Sequence, residues 1–197
     1  METSTKVILA AGATAIVVGG IVIYKKRHEI FDTVKMITTK NYFTIKEMIA
    51  SDTAKKQGID NTPSEAVKAN LQSLITNVLN PVREVYGKPI NVSSGYRCPA
   101  LNKAVGGVDN SQHVEGRAAD LVPANSKGSL SEIFAACIAV GTFDQVIIEQ
   151  NKKGSKWVHV SYDPTKNRRD IMGYVEGKGY THIESNWPQY VQKYLVA

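Results

Sequence analysis

Three side chains of this sequence have the types that a catalytic metal needs. His113 and Asp120 lie in Ser-Gln-His-Val-Glu-Gly-Arg-Ala-Ala-Asp, and His159 lies in Trp-Val-His-Val-Ser. Two imidazoles and one carboxylate can fill three positions of a tetrahedral zinc and leave the fourth open to water. Zinc lowers the pKa of such a water towards ~7 and polarises a carbonyl, which is the chemistry of amide hydrolysis. Taken alone, the same residues also fit a His113 that caps a turn and a His159 on the outer side of a strand.

Strand alternation favours convergence. If Val158 and Val160 face a core, then Trp157, His159 and Ser161 face the other side. Asp120 shares a face with Ala118 and Val122, so its near neighbour Ala118 is small. Gly116 permits a tight turn that brings His113 back over Asp120.

The elements that must position these residues follow from periodicity and punctuation. Phe43 to Met48 reads as an extended entry into a short helix, with Thr44 as N-cap and Glu47 three residues on. Asp60-Asn61-Thr62-Pro63 is a turn and helix start. From Ser64 to Val85 the apolar positions Val67, Leu71, Leu74, Ile75, Val78, Leu79 and Val82 keep a helical period, with a bend expected near Pro81. Ile90 to Ser94 is a short strand, and Pro99 to Val105 a second short helix. Ala118 to Pro123 is a strand and Leu130 to Val140 a helix. Phe143 to Glu149 and Lys156 to Tyr162 form a hairpin across the polar stretch from Gln150 to Ser155. Pro188 to Leu195 suits a terminal helix. The expected fold is α+β: a small, mostly antiparallel sheet with helices on one face. The strands bearing Asp120, Glu149 and His159 should be neighbours, with the 64–85 helix on the far face.

The N-terminus has a different character. Val7 to Tyr24 is 18 residues without a charge, followed by Lys25, Lys26 and Arg27. As a helix it would span about 27 Å, near the hydrocarbon thickness of a bilayer. The expectation is a single-pass transmembrane helix over residues 1–24, a basic juxtamembrane linker over 25–40, the main domain over 41–173 and a C-terminal extension over 174–197. Ala11, Ala15 and Gly19, four apart, would form a small-residue stripe suited to helix pairing in the membrane. The positive-inside rule places the large domain on the cytoplasmic side. The membrane expected is a bacterial inner membrane or one carried in a virus particle, with the side of the large domain left open.

Net charge is +6, which suits an anionic partner such as wall carboxylates or acidic lipid, and equally a solvated basic surface. No basic run is interleaved with aromatics, so nucleic acid is not an expected partner. Cys98 and Cys137 make neither a CxxC pair nor zinc-finger spacing, and two reduced thiols are expected. His28 and His182 match no motif and read as surface residues.

The stretch Ser111-x-His113-x-x-Gly116-x-Ala118-x-Asp120, with Trp157-Val158-His159 downstream, resembles the zinc D-alanyl-D-alanine carboxypeptidases and their phage L-alanyl-D-glutamate endopeptidase relatives, whose fold hedgehog domains share. Ser93-Ser94-Gly95-Tyr96-Arg97, Asn102 to Val105 and Phe143-Asp144-Gln145 match as well, so that the resemblance covers about residues 41–173. It implies that His113, Asp120 and His159 bind zinc. It also implies that Arg97 holds a substrate carboxylate or the oxyanion, for which a guanidinium offers a fixed, charged fork. In some relatives the general base lies three residues before the last His, where this chain has Lys156. In others it ends the preceding strand, where Glu149 stands on one face with Gln145 and Ile147. Glu149 is therefore the expected base, with Asp144 or Glu115 as substitutes. Trp157 replaces a histidine common in carboxypeptidase members and would line the peptide cleft, while Ser111 would touch substrate or cap its own loop. The implied activity is hydrolysis of amide bonds in peptidoglycan stem peptides or cross-links, in phage or bacterial wall lysis or remodelling. The alternative is a non-catalytic zinc-fold binding module or virion structural module.

Overall fold

The computed structural model describes residues 40–183 and 186–195, the last four of these by backbone, together with the backbone of 6–10, 13–18 and 21–25. The first elements depart from expectation. Lys6–Ala10 (β1), Ala13–Val18 (β2) and Ile21–Lys25 (β3) pair antiparallel as a three-stranded sheet, with Ala10 opposite Ala13 and Val18 opposite Ile21. Where residues 7–24 are described, the backbone is extended and not the expected transmembrane helix. Among the described residues no helix is long and apolar enough to cross a membrane. The physical reason lies in the same sequence. Val and Ile dominate each segment, and β-branched side chains favour extended backbone. Gly12 and Gly19-Gly20 fall between the segments, where glycine costs a helix about 1 kcal/mol each. The expected pairing stripe falls on Ala11, Ala15 and Gly19, of which Ala11 and Gly19 lie outside the described residues, as does most of the 25–40 linker.

From residue 40 the expected elements appear in order. Ile45–Met48 (α1) begins on the Thr44–Glu47 capping box, and Asp52–Gln57 (α2) is capped by Ser51. The long helix comes in three parts: Glu65–Leu74 (α3), a π-helical turn Ile75–Leu79, and Asn80–Tyr86 (α4). Proline lacks an N–H and crowds the preceding turn; the wider π turn just before Pro81 absorbs that misfit without ending the helix. Ile90–Ser94 (β4), Pro99–Ala104 (α5), Ala118–Pro123 (β5), Leu130–Val140 (α6), Gln145–Gln150 (β6) and Lys156–Ser161 (β7) follow. The chain then adds Asp170–Val175 (β8), Gly179–His182 (β9) and Trp187–Leu195 (α7).

Strands β4 to β9 form one six-stranded sheet in the order β4-β5-β7-β6-β8-β9, antiparallel except for the β6/β8 pair. This is an α+β domain. One face carries Ala119, Leu121, Val146, Ile148, Val158 and Val160, all buried in the core. Burial of each larger aliphatic side chain is worth about 1.5–3 kcal/mol. The helix lying across β5, β6 and β7 is α6, and α4 packs against α6. The long helix therefore backs the sheet largely through α6, a refinement of the expected direct packing. Ser129 and Glu132 cap α6 at its start, and Gly141 ends it in the left-handed conformation. Beyond β9, Trp187 of α7 meets Phe134, and Val191 joins the core. A side chain at Gly173 would collide with the Tyr190 ring, so β8 and α7 are fitted to each other. With one face sealed, the residues of alternate register stand on the open face of the sheet.

Candidate active site

His159 of β7 stands directly opposite Asp120 of β5, and on its other side opposite Ile147 of β6. His113 arrives from the loop before β5. Gly116 in that loop has φ +70° and packs so tightly on Val67 and Leu71 that a Cβ would intrude, and Asn70 holds the Glu115 carbonyl. Arg97 N–H donates to the His113 carbonyl at 3.2 Å, tying this loop to the one after β4. A register shift between Val92 and Ser94 turns β4 out of its ladder just before Gly95. Gly95 lies against the Met48 backbone, where any side chain would strike the Met48 carbonyl. Asn61 fixes the same loop, donating to the Ile49 and Tyr96 carbonyls and accepting from Cys98 N–H.

The three expected ligands converge. His113 Nε2 lies 3.2 Å from His159 Nδ1 and 3.2 Å from Asp120 Oδ1, and His159 Nδ1 lies 3.0 Å from the same oxygen. All three residues are buried. Atoms placed tetrahedrally about zinc at ~2.1 Å stand about 3.4 Å apart, close to these separations. The donor chemistry fits a cation. His113 Nδ1 faces the Gly95 carbonyl at 2.7 Å; a carbonyl only accepts, so the proton sits on Nδ1 and Nε2 offers a lone pair. That lone pair faces a carboxylate oxygen, and two acceptors so close need a proton or a metal ion between them. These three residues form a buried group able to bind a metal. Burial alone would raise the Asp120 carboxyl, but the neighbouring imidazoles hold it well below the ordinary carboxylate range. The outer Asp120 oxygen accepts from Arg97 Nη2 at 2.9 Å, and Arg97 Nε donates to Ser94 Oγ at 2.9 Å. Such outer partners orient a ligand for its metal.

Glu149 of β6 is paired with Trp157 of β7, two residues along from the Ile147–His159 pair and so on the same face. Burial pushes its carboxyl from 4.5 up to about 7, with the nearby Asp120 charge adding to the rise and His159, Arg97 and Trp157 opposing it. The Trp157 indole N–H is buried and meets no acceptor at hydrogen-bond geometry among the described residues, yet lies close enough to Glu149 to offset part of that rise. A carboxyl poised near neutral pH beside a metal group has the character of a general base.

The group opens into a cleft of about 770 Å³, lined among others by Arg97, Ser111, Glu149, Trp157 and Arg168. A second hollow of about 520 Å³, with Asp52 and Ser93 in its wall, meets the first at Arg97, Val105 and Trp157. All six non-ligand candidates line the cleft: Glu149, Arg97, Trp157, Ser111, Asp144 and Glu115. The substitute bases are engaged elsewhere. Asp144 accepts from Arg168 Nε at 2.9 Å, Arg168 Nη2 at 2.6 Å and Gln112 Nε2 at 2.8 Å. Its burial would raise the carboxyl, but these bonds hold it below the ordinary range. Glu115 is half exposed and pairs with Arg117 at 3.2 Å. Sequence reasoning missed Gln112 and Arg168 as partners of Asp144, and no local pattern announces them. It also missed Tyr174 and Tyr180 on the cleft wall, for which the alternation in β8 was an available signal. Cys98 and Cys137 are buried free thiols, and burial pushes Cys137 far above its ordinary value.

Two comparisons bear on this site. A family model described as Peptidase M15 matches residues 41–161, which include every ligand, Arg97, Glu149 and Trp157. No curated protein matches the chain. The match spans more than half of the 197 residues, and the chain belongs to the M15 peptidase family.

Proposed function

We propose that this peptidase is zinc-dependent and hydrolyses amide bonds in peptidoglycan stem peptides or cross-links. The observation that carries the reading is the convergence of His113, Asp120 and His159 at 3.0–3.2 Å, with Glu149 on the next strand two residues beyond the position opposite His159, on the same face. Zinc held by these residues would supply Lewis-acid polarisation of the scissile carbonyl and a lowered pKa for water. The chain's own groups supply the rest. Glu149, deprotonated, takes a proton from the attacking water and delivers it to the leaving amine, so no net proton is consumed at the carboxylate. Arg97 fixes Asp120 from behind and, at the junction of the two hollows, offers positive charge to a substrate carboxylate or the developing oxyanion. Trp157 shields Glu149 and walls the peptide path. The peptidoglycan assignment is supported by the Ser-Gly-Tyr-Arg and Trp-Val-His segments and by the net charge of +6, which suits an anionic polymer.

A role in phage or bacterial wall lysis, and attachment to a membrane through residues 7–24, are proposed on sequence alone. The attachment rests on their uncharged composition and the basic residues that follow. The deciding experiment incubates the purified chain with defined peptidoglycan fragments, with and without a chelator, and identifies products by mass spectrometry. Cleavage that the chelator abolishes and zinc restores is expected. A chain that binds zinc and cuts no fragment would establish the binding-module alternative instead.

A further inference from the structure

The family match ends at residue 161, yet the sheet continues through β8 and β9. This hairpin carries the open face outward from the metal group. Register aligns one row across four strands: Trp157 opposite Glu149, Glu149 opposite Tyr174, and Tyr174 opposite Tyr180. Residues in one such row share a face, so both tyrosines stand on the side of the catalytic group. They line the same cleft as His113, Asp120 and His159. Their ring centroids are 4.6 Å apart with a 38° tilt, and Tyr180 remains 59% exposed. The other exposed large apolar side chains among the described residues, Val105 and Val108, line this cleft too. Exposed apolar surface gathered on one cleft marks a binding surface.

We propose that Tyr174 and Tyr180 form a saccharide subsite, on which an N-acetylhexosamine of the glycan bearing the scissile peptide stacks. The inference rests on the peptidoglycan reading above and adds the part of the polymer that the hairpin recognises. The face of an aromatic ring is electron-rich and attracts the polarised C–H groups on the flat face of a pyranose, while the phenol hydroxyls can meet the hydroxyls at its edge. Small and anionic side chains of a stem peptide gain little from a ring face, and a cationic one gains a single point contact worth about 0.5–1 kcal/mol at an exposed site. The glycan is the component with broad C–H faces. Burial and the nearby Glu149 push the Tyr180 phenol above its ordinary value. Position fits as well. Tyr180 stands two strands beyond Glu149, about 10 Å at the usual strand spacing. An extended chain covers that distance in about three residues. A peptide cut within about three residues of its sugar would lay the sugar on the tyrosines.

The test has two arms. In the first, the full chain is titrated with a peptide-free β-1,4-linked N-acetylglucosamine tetramer and binding is followed by NMR. Wild type should bind, Tyr180→Phe should keep affinity within about threefold, and Tyr180→Ala should weaken it roughly tenfold or more, the scale of one lost ring contact. In the second, kcat/KM is compared between a disaccharide-linked peptide and the same peptide free. Wild type should prefer the linked form by roughly tenfold, and Tyr180→Ala should bring the ratio near one. A wild-type chain that ignores the tetramer, or binds it equally after Tyr180→Ala, overturns the subsite. A chain that binds the tetramer through Tyr180 but cuts neither peptide keeps the subsite and defeats the peptidase reading.

Discussion

Glu149→Gln separates the proposed chemistry from the architecture that holds it, because the substitution keeps size and hydrogen-bonding capacity but removes the base. Loss of a general base costs on the order of 10²–10⁴ in rate, so kcat on a peptidoglycan fragment should fall at least about 100-fold while bound zinc is retained. The structure adds a second, opposite consequence. Burial raises the Glu149 carboxyl from 4.5 to about 7. In the metal-free protein the folded state therefore holds a proton between those values that the unfolded chain has released, and stability falls as pH rises from about 4.5 to about 7. A rise from 4.5 to about 7 corresponds to at most about 3–4 kcal/mol. Gln pays no such penalty. The metal-free Gln variant should match the wild type near pH 4 and exceed it increasingly towards pH 7, by up to several degrees in thermal midpoint at roughly 2–4 °C per kcal/mol. The assays are steady-state kinetics, zinc content by mass spectrometry, and chelated thermal melts across pH. Activity within about threefold of wild type would place the base elsewhere. A stability gap that does not widen with pH would refute the desolvation argument.

Other substitutions probe the remaining parts. His113→Ala should lose zinc and activity together, since two ligands hold zinc poorly, and metal content per chain measures this directly. Arg97→Lys keeps charge but cannot bridge Ser94 and Asp120 as the guanidinium does; kcat/KM should fall roughly tenfold or more with zinc still bound. Gly95→Ala forces a methyl into the Met48 carbonyl and displaces the carbonyl that orients His113, so denaturant unfolding should show a loss of about 1–3 kcal/mol and zinc affinity should drop. Asp144→Asn should leave four donors without their carboxylate and cost about 2–4 kcal/mol above pH ~4, with the difference shrinking as acid protonates the wild-type group.

What the sequence revealed about the domain came from strong local signals. The capping box at Thr44, the 3.6 period from Val67 to Val82, and the alternation around Val158 and Val160 each allow few alternatives. The ligands were legible for the same reason: His159 is fixed by strand parity, and Gly116 marks the turn that returns His113. In the N-terminal segment the local signals allow two backbones. Eighteen uncharged residues satisfy a membrane-helix criterion by length and hydropathy, yet their Val and Ile content and glycine breaks equally satisfy a β-meander, and length alone does not arbitrate between the two.

The remaining site features depend on contacts between residues far apart in the chain. Arg168 reaches Asp144 across 24 residues, and Asn61 reaches Cys98 across 37. Neither pair has a spacing that a periodicity could reveal. The β6/β8 pairing is parallel, so its register is set by the 161–170 connection and not by a hairpin turn. That register decides whether Tyr174 falls beside Glu149 or on the core face. A slip of one residue would put Gly173 beside Glu149, turn Tyr174 inward and remove the gap that Tyr190 fills. The fit of Tyr190 over Gly173 thus locks the position of the tyrosine pair relative to the base. The terminal helix, remote from the chemistry, helps to fix which surface a substrate meets beyond Glu149.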